Sequence, residues 1–213
     1  TAPNALIKGF EIKKGNANGS STNGYGGGTY YGNFEECIID SNYATQYGGG
    51  AYYSNLKNCS ILHNNCSNYG GGAYYGNAYN CLFNHNTASY MGGGKYYGTA
   101  NNSTFRQNQA QYGGAAAGGN IYYSDFTANG AKYGGAIYDL NCYYSTISNN
   151  SASNYGGGSY YGYTYSCLIS KNSANYGGGK YYGTAINCTF SNNYATTNGG
   201  GTCYGNYYNS ILW

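Results

Sequence analysis

The side chains able to do chemistry are few in this 213-residue chain: six acids, nine Lys and Arg together, two His and eight Cys. The acids are Glu11, Glu35, Glu36, Asp40, Asp125 and Asp139. Polysaccharide cleavage needs clustered carboxylates, for Ca²⁺ or for general acid and base work, usually with Arg or Lys beside them. Asp125 and Asp139 stand apart from the other four, and Arg106 has no carboxylate at a matching position on either side. His63 and His85 recur at one position of neighbouring repeats, and no CxxC pair occurs. They are expected to be exposed stacked rings rather than metal ligands. The pattern points away from an enzyme, and no metal or cofactor is expected.

The cysteines suggest disulfides at first, since exported chains keep them. Five of them, Cys37, Cys59, Cys81, Cys167 and Cys188, share one position with Ser103, Ser124, Ser145 and Ser210. A position that takes only small residues reads as a packed inward column, and parallel side-chain vectors suit disulfide geometry badly. Cys66 stands where other repeats have Ala, Cys142 where they have Phe34, Leu56 or Ile121, and Cys203 where they have Tyr. All eight are expected to be small buried groups.

Tyrosine is the unusual feature, at 33 residues. One column precedes the glycine clusters, from Tyr25 and Tyr47 to Tyr176. A second follows them, as Tyr30, Tyr52, Tyr74, Tyr96, Tyr138, Tyr160 and Tyr181; it never carries charge and is expected to point inward. The third is Tyr31, Tyr53, Tyr75, Tyr97, Tyr161, Tyr182 and Tyr204, with Asp139 in one coil, and is expected to face out. Lys95 and Lys180, two positions earlier, are taken as the same outward face. Stacked rings stabilise a rod by ~0.5–1.5 kcal/mol per well-placed pair. An exposed ladder of stiff amphipathic rings also suits protein contacts and stacking on sugars. Ice binding would call for a flat Thr array, and no Thr column occurs.

The element that positions these columns is a repeat. Glycine clusters begin at Gly26, Gly48, Gly70, Gly92, Gly113, Gly134, Gly156, Gly177 and Gly199, steps of 21 or 22 residues. So regular a period means units that stack only on their neighbours. Two residues past the cysteine column lies an apolar one: Ile39, Ile61, Phe83, Phe105, Phe126, Ile147, Ile169, Phe190 and Leu212. On the period-2 rule of a strand both columns face inward. An asparagine column, Asn42 to Asn193, reads as a turn, because Asn tolerates left-handed angles and stacked amides can bond from coil to coil. An alanine column, Ala44 to Ala195, follows, and the glycines allow a second sharp bend.

The fold class is therefore all-β, a right-handed parallel β-helix (β-solenoid) of about 22 residues per coil and nine to ten coils. At ~4.8 Å per coil the rod is roughly 45 Å long. One domain covers residues 1–213, with an irregular first coil over 1–24 and regular coils over 25–213. In the first coil Phe10, Ile12 and Ala17 align with Cys37, Ile39 and Ala44, and about five extra residues around 18–23 form a loop.

The pattern NxA, then GGGxYY, then NCxI/F and xxN resembles the glycine-rich repeats of secreted right-handed β-helix proteins, among them the polymorphic outer-membrane proteins of chlamydiae and large surface proteins of environmental bacteria. The opening GFEIKKGNANG and the closing NSILW are similar to first and last coils of such domains. The resemblance implies an extracellular or cell-surface location and a role as adhesin, passenger domain or surface fibre.

Low charge without a basic run argues against nucleic acid, and no apolar run is long enough to insert in a membrane. Neither end reads as capped, so Ile211, Leu212 and Trp213 are expected to form an axial stacking end, since exposed strand edges invite another chain. Self-association, end to end and laterally, is the expected partnership, with a glycan or host-surface ligand as the alternative. Asn58, Asn102 and Asn187 are outward sequons and candidate glycosylation sites.

Overall fold

The protein, seen in a computed structural model that describes residues 5–212, is a parallel β-solenoid of about 22 residues per turn. Short strands stack into three parallel sheets of seventeen, ten and nine strands, the largest taking two short strands from most coils. Pairing is in register throughout the apolar column: Ile12 faces Ile39, Ile39 faces Ile61, Phe83 faces Phe105 and Phe190 faces Leu212.

Each coil turns where a residue takes a left-handed backbone. In one coil these are Tyr53 (φ 48°), Asn58 (φ 53°), His63 (φ 49°) and Gly70 (φ 68°). Most strands are only two or three residues long, the longest being Thr29–Glu35 and Ala51–Lys57 at seven, and side chains between the bends alternate in and out. Ile61 of Ser60–Leu62 is buried while its neighbours are half-buried. The core is a file of such residues: Phe83, Phe105 and Phe126 are fully enclosed, with ring centroids 4.7 and 5.0 Å apart in nearly parallel planes. Each aromatic or branched side chain placed there contributes roughly 1.5–3 kcal/mol by burial.

The asparagine column is the polar counterpart of that file. Asn64 Nδ2 donates to Asn86 Oδ1 at 3.0 Å and to the Ile39 carbonyl at 2.8 Å, while its backbone N–H also donates to Asn86 Oδ1. The same set recurs from Asn42 to Asn193. The left-handed residue at this corner is not the asparagine itself, as the sequence suggests, but the one before it: Ser41, His63, His85, Gln107 and their equivalents. That bend turns the following amide inward, where its donors and acceptors have no water and must pair with one another.

Glycine is required here for proximity as well as for φ. A Cβ on Gly71 would stand 2.3 Å from the Thr87 carbonyl oxygen and 2.5 Å from that of Gly93. The second glycine of each cluster thus lets coils approach closely.

Three side-chain directions differ from the sequence reading. Lys95 and Lys180 point into the core, 2% and 0% exposed. Their column elsewhere holds Ala51, Ala73, Ala116, Ile137 and Ser159, all buried, and pairing places Lys95 between Ala73 and Ala116. The second tyrosine column points outward, not inward: Tyr52, Tyr74, Tyr96, Tyr138, Tyr160 and Tyr181 are half-buried and lie against other rings rather than in the core. The left-handed residue that follows breaks the alternation, so two consecutive tyrosines face the same side. Phe10 and Cys203 are the third departure. Phe10 is 62% exposed despite aligning with Cys37, and Cys203 is half-exposed.

In the first coil Ile12 pairs with Ile39 and Ala17 with Ala44, and the extra residues form a 3-10 turn, Ser21–Gly24.

Candidate functional site

The most developed surface is the tyrosine face. Its third column, Tyr31 to Tyr97 and Tyr161 to Tyr204, lies on left-handed backbone at φ 48–58°. Such a conformation costs a non-glycine residue about 1–2 kcal/mol. Glycine would be free of that cost, as Gly118 is in the same column. Tyrosine at these bends therefore has to recover the difference through its ring.

It does so by stacking in two directions. Along the axis, Tyr53 and Tyr75 are 4.8 Å apart and 1° from parallel, Tyr75 and Tyr97 5.3 Å, and Tyr161 and Tyr182 5.4 Å. The second column runs beside it with steps of 5.2–5.5 Å. Across the face the columns lock edge to face, as Tyr160 and Tyr161 do at 4.5 Å and 90°. The column before the glycines closes the other flank, with Tyr47 on Tyr74 and Tyr155 on Tyr181, each at 4.5 Å. Burial among these rings pushes the phenols of Tyr52, Tyr96 and Tyr181 up to about 12, so these three stay neutral at any physiological pH. Tyr53, Tyr97, Tyr161, Tyr182 and Tyr204 are exposed, while Tyr31 and Tyr75 are half-buried.

A second, shorter aromatic stack was not singled out from the sequence. Tyr122 lies 4.9 Å from Tyr143, and Tyr123 5.1 Å from Tyr144. The YY pairs at 122 and 143, one coil apart, are its only signal.

The remaining sequence-derived candidates are scattered. Ile211 and Leu212 are 54% and 51% exposed on the last strand of the ten-stranded sheet; Trp213 lies outside the described residues. Asn58, Asn102 and Asn187 are exposed at left-handed corners. Asn58 and Asn102 join an outer amide ladder: Asn80 Nδ2 donates to Asn58 Oδ1, and Asn102 Nδ2 donates to Asn80 Oδ1 at 2.7 Å. The histidines stack at 5.3 Å, with His63 Nδ1 2.9 Å from Asp40. Among the described residues no cluster of three His, Cys, Asp or Glu could hold a metal, and no helix is long and apolar enough to cross a membrane.

The described cysteines are all free thiols, seven of them buried. Burial pushes Cys66 up to about 11. Hydrogen bonds between neighbouring thiols, reinforced by burial, raise Cys81, Cys167 and Cys188. The buried lysines move the other way. Loss of water lowers Lys95 to about 7 and Lys180 to about 8. Lys95 Nζ donates to the carbonyls of Tyr75 and Gly76 at 3.2 and 2.8 Å; Lys180 Nζ donates to those of Tyr161 and Gly162 and to Ser159 Oγ. Each amine thus ties the inner side of a tyrosine bend.

These features define a class, the parallel β-solenoid built of glycine-rich repeats with aromatic and amide ladders on its coils. Residues 187–205 match the family described as Chlamydia polymorphic membrane protein repeat. That segment holds one member of each column: Cys188, Phe190, Asn193, Ala195 and the cluster from Gly199 to Gly201. The resemblance drawn from the sequence pattern is thus shared by the family match and the fold. No curated protein and no solved structure matches the chain.

Proposed function

We propose that this chain is a non-enzymatic structural element of the cell surface or extracellular space, a β-solenoid that forms or decorates a surface fibre. The observation that carries this reading is the tyrosine face: three columns of rings interlocked along and across the rod and partly exposed. A surface of this kind supplies large, stiff, amphipathic area for lateral contact. Axial continuation, end to end with a second copy or with a further coil, would extend the same core and asparagine files, with Ile211 and Leu212 at the contact. The repeat family's description as a membrane protein supports the location.

An adhesin or carbohydrate-binding role for the same rings is the second reading, favoured by the exposure of Tyr53, Tyr97, Tyr161 and Tyr182. Replacing Tyr53, Tyr75, Tyr97, Tyr161 and Tyr182 together by Ser separates the two. Electron microscopy of the unaltered chain over a range of concentrations should show rods tens of nanometres long that bundle laterally. The Ser variant should keep the rods and lose the bundles. Short single rods at every concentration would refute the fibre; loss of glycan binding by the variant, with assembly unchanged, would establish the adhesin.

A further inference from the structure

The tyrosine face is interrupted near the middle of the rod. In the coil of Gly113, Ala117 and Gly118 stand where the second and third columns otherwise carry rings, and in the next coil Asp139 replaces the third-column tyrosine. The result is a cavity of about 220 Å³ opening on the face, floored by Ala117 and Gly118 and walled by Tyr96, Tyr97, Tyr138 and Met91. Its rim carries Asp139, an exposed carboxylate with no ion pair among the described residues.

The ladder sets the dimensions of this gap. Tyr74 to Tyr96 is a step of 5.4 Å on one side, and Tyr138 to Tyr160 is 5.4 Å on the other. With the same step carried into the gap, a group at the vacated ring position would stand about 5.4 Å from each of Tyr96 and Tyr138, inside the ~6 Å within which a cation is held by a ring face. Gly118 adds the third wall. A Cβ there would lie 2.8 Å from the Tyr97 ring, so only glycine lets that ring lean across the gap. Three rings, a thioether and a single carboxylate surround one position.

The geometry points to a binding site for a choline-type trimethylammonium group, held between Tyr96 and Tyr138 with Asp139 as counter-ion. Charge complementarity selects a cation, since the only formal charge among the lining residues is negative. The apolar walls select the methylated form. A primary ammonium brings three donors that must be satisfied on leaving water, and one carboxylate cannot take them all; a trimethylammonium brings none. The site is independent of any fibre role, because Tyr96, Tyr97 and Tyr138 keep their ladder partners Tyr74, Tyr75 and Tyr160 whether or not the gap is filled.

The test uses the whole chain with ¹³C-methyl alanine, titrated with choline at constant ionic strength and read at the Ala117 methyl. Saturable shifts with a Kd on the order of 1 mM are expected. Asp139→Asn, which keeps the shape and removes the charge, should weaken choline roughly fivefold. Ala117→Tyr, which restores the missing rung, should abolish binding while leaving the asparagine side-chain amide signals in place, which verifies the fold. Phosphocholine should bind more weakly than choline, because its phosphate meets Asp139. The neutral isostere 3,3-dimethylbutan-1-ol and a methyl pyranoside complete the series. Binding of either neutral compound as tightly as choline would overturn the proposal in favour of an apolar or sugar site. It would equally be overturned by absence of saturation, or by choline binding that survives Ala117→Tyr.

Discussion

Replacing both buried lysines by methionine should change the pH dependence of stability in a way that isolates their amines. Lys95 and Lys180 lie in a core without counter-ions, and loss of water lowers them from 10.5 to about 7 and about 8. At about 1.4 kcal/mol per pH unit, the gap for Lys95 converts to about 5 kcal/mol and that for Lys180 to about 3 kcal/mol. The sign follows from proton uptake. Between the folded and unfolded values the unfolded chain holds a proton that the folded chain has released, so stability rises with pH. The penalty is complete below pH 7 and gone above 10.5. Cysteines raised by burial act in the opposite direction from about pH 9 upward, but they are present in both proteins and cancel in the comparison. The advantage of the Lys95→Met, Lys180→Met variant over the parent should therefore shrink by about 5 kcal/mol between pH 7 and 9.5. Guanidinium unfolding followed by tyrosine circular dichroism measures it. The carbonyl bonds lost with the amines shift the whole difference without changing its slope. A stability difference that does not vary with pH would show that both amines stay charged in the core, and the reasoning would fail.

Asn108→Ala should cost about 3–6 kcal/mol, since it orphans the backbone N–H and one Nδ2 hydrogen of Asn86 and removes the donor to the Phe83 carbonyl; unfolding midpoints check this. Gly71→Ala should cost about 3 kcal/mol or more, because both clashing atoms are backbone carbonyls. Gly201→Ala, whose Cβ would meet nothing nearer than 3.9 Å, should fall within about 0.5 kcal/mol of the parent. In the native protein a thiol reagent should label Cys203 quickly and the seven buried cysteines only on unfolding, as mass spectrometry of the labelled chain would report. If the chain is made in a glycosylating host, Asn58 should be occupied ahead of Asn102, whose Nδ2 is already donated to Asn80.

What could be read from the sequence was whatever recurs without exception. The file from Ile39 to Leu212 is apolar in every coil, and a residue two before it that accepts only Cys or Ser can only be its inward neighbour. The asparagine ladder was legible for the same reason, although its left-handed corner falls one residue earlier, because Ser41, His63 and Gln107 share a backbone angle and no side-chain type. The second tyrosine column was read as inward because it carries no charge, but φ 48° at Tyr53 breaks the alternation, so it faces out beside the third. Charge then served as a sign of exposure, and failed. The better signal lay in the column: a lysine among Ala51, Ala73, Ile137 and Ser159 sits where every other coil buries a side chain. The gap at Ala117 and Gly118 was visible as two missing rings, but its enclosure depends on Tyr97 leaning over Gly118, which no residue type announces.

The asparagine ladder has a direction. In every rung from Asn42 to Asn172, Nδ2 donates toward the next coil and Oδ1 receives from the one before. The side-chain dipoles are therefore aligned head to tail along the axis, and aligned amide dipoles sum as they do in a helix. The inner file is thus polarised along the axis, while the outer ladder from Asn102 through Asn80 to Asn58 donates in the opposite sense. A coil added in the same sense continues the series, whereas one added in reverse sets donor against donor. To continue the inner file, a further coil would have to dock in one sense only.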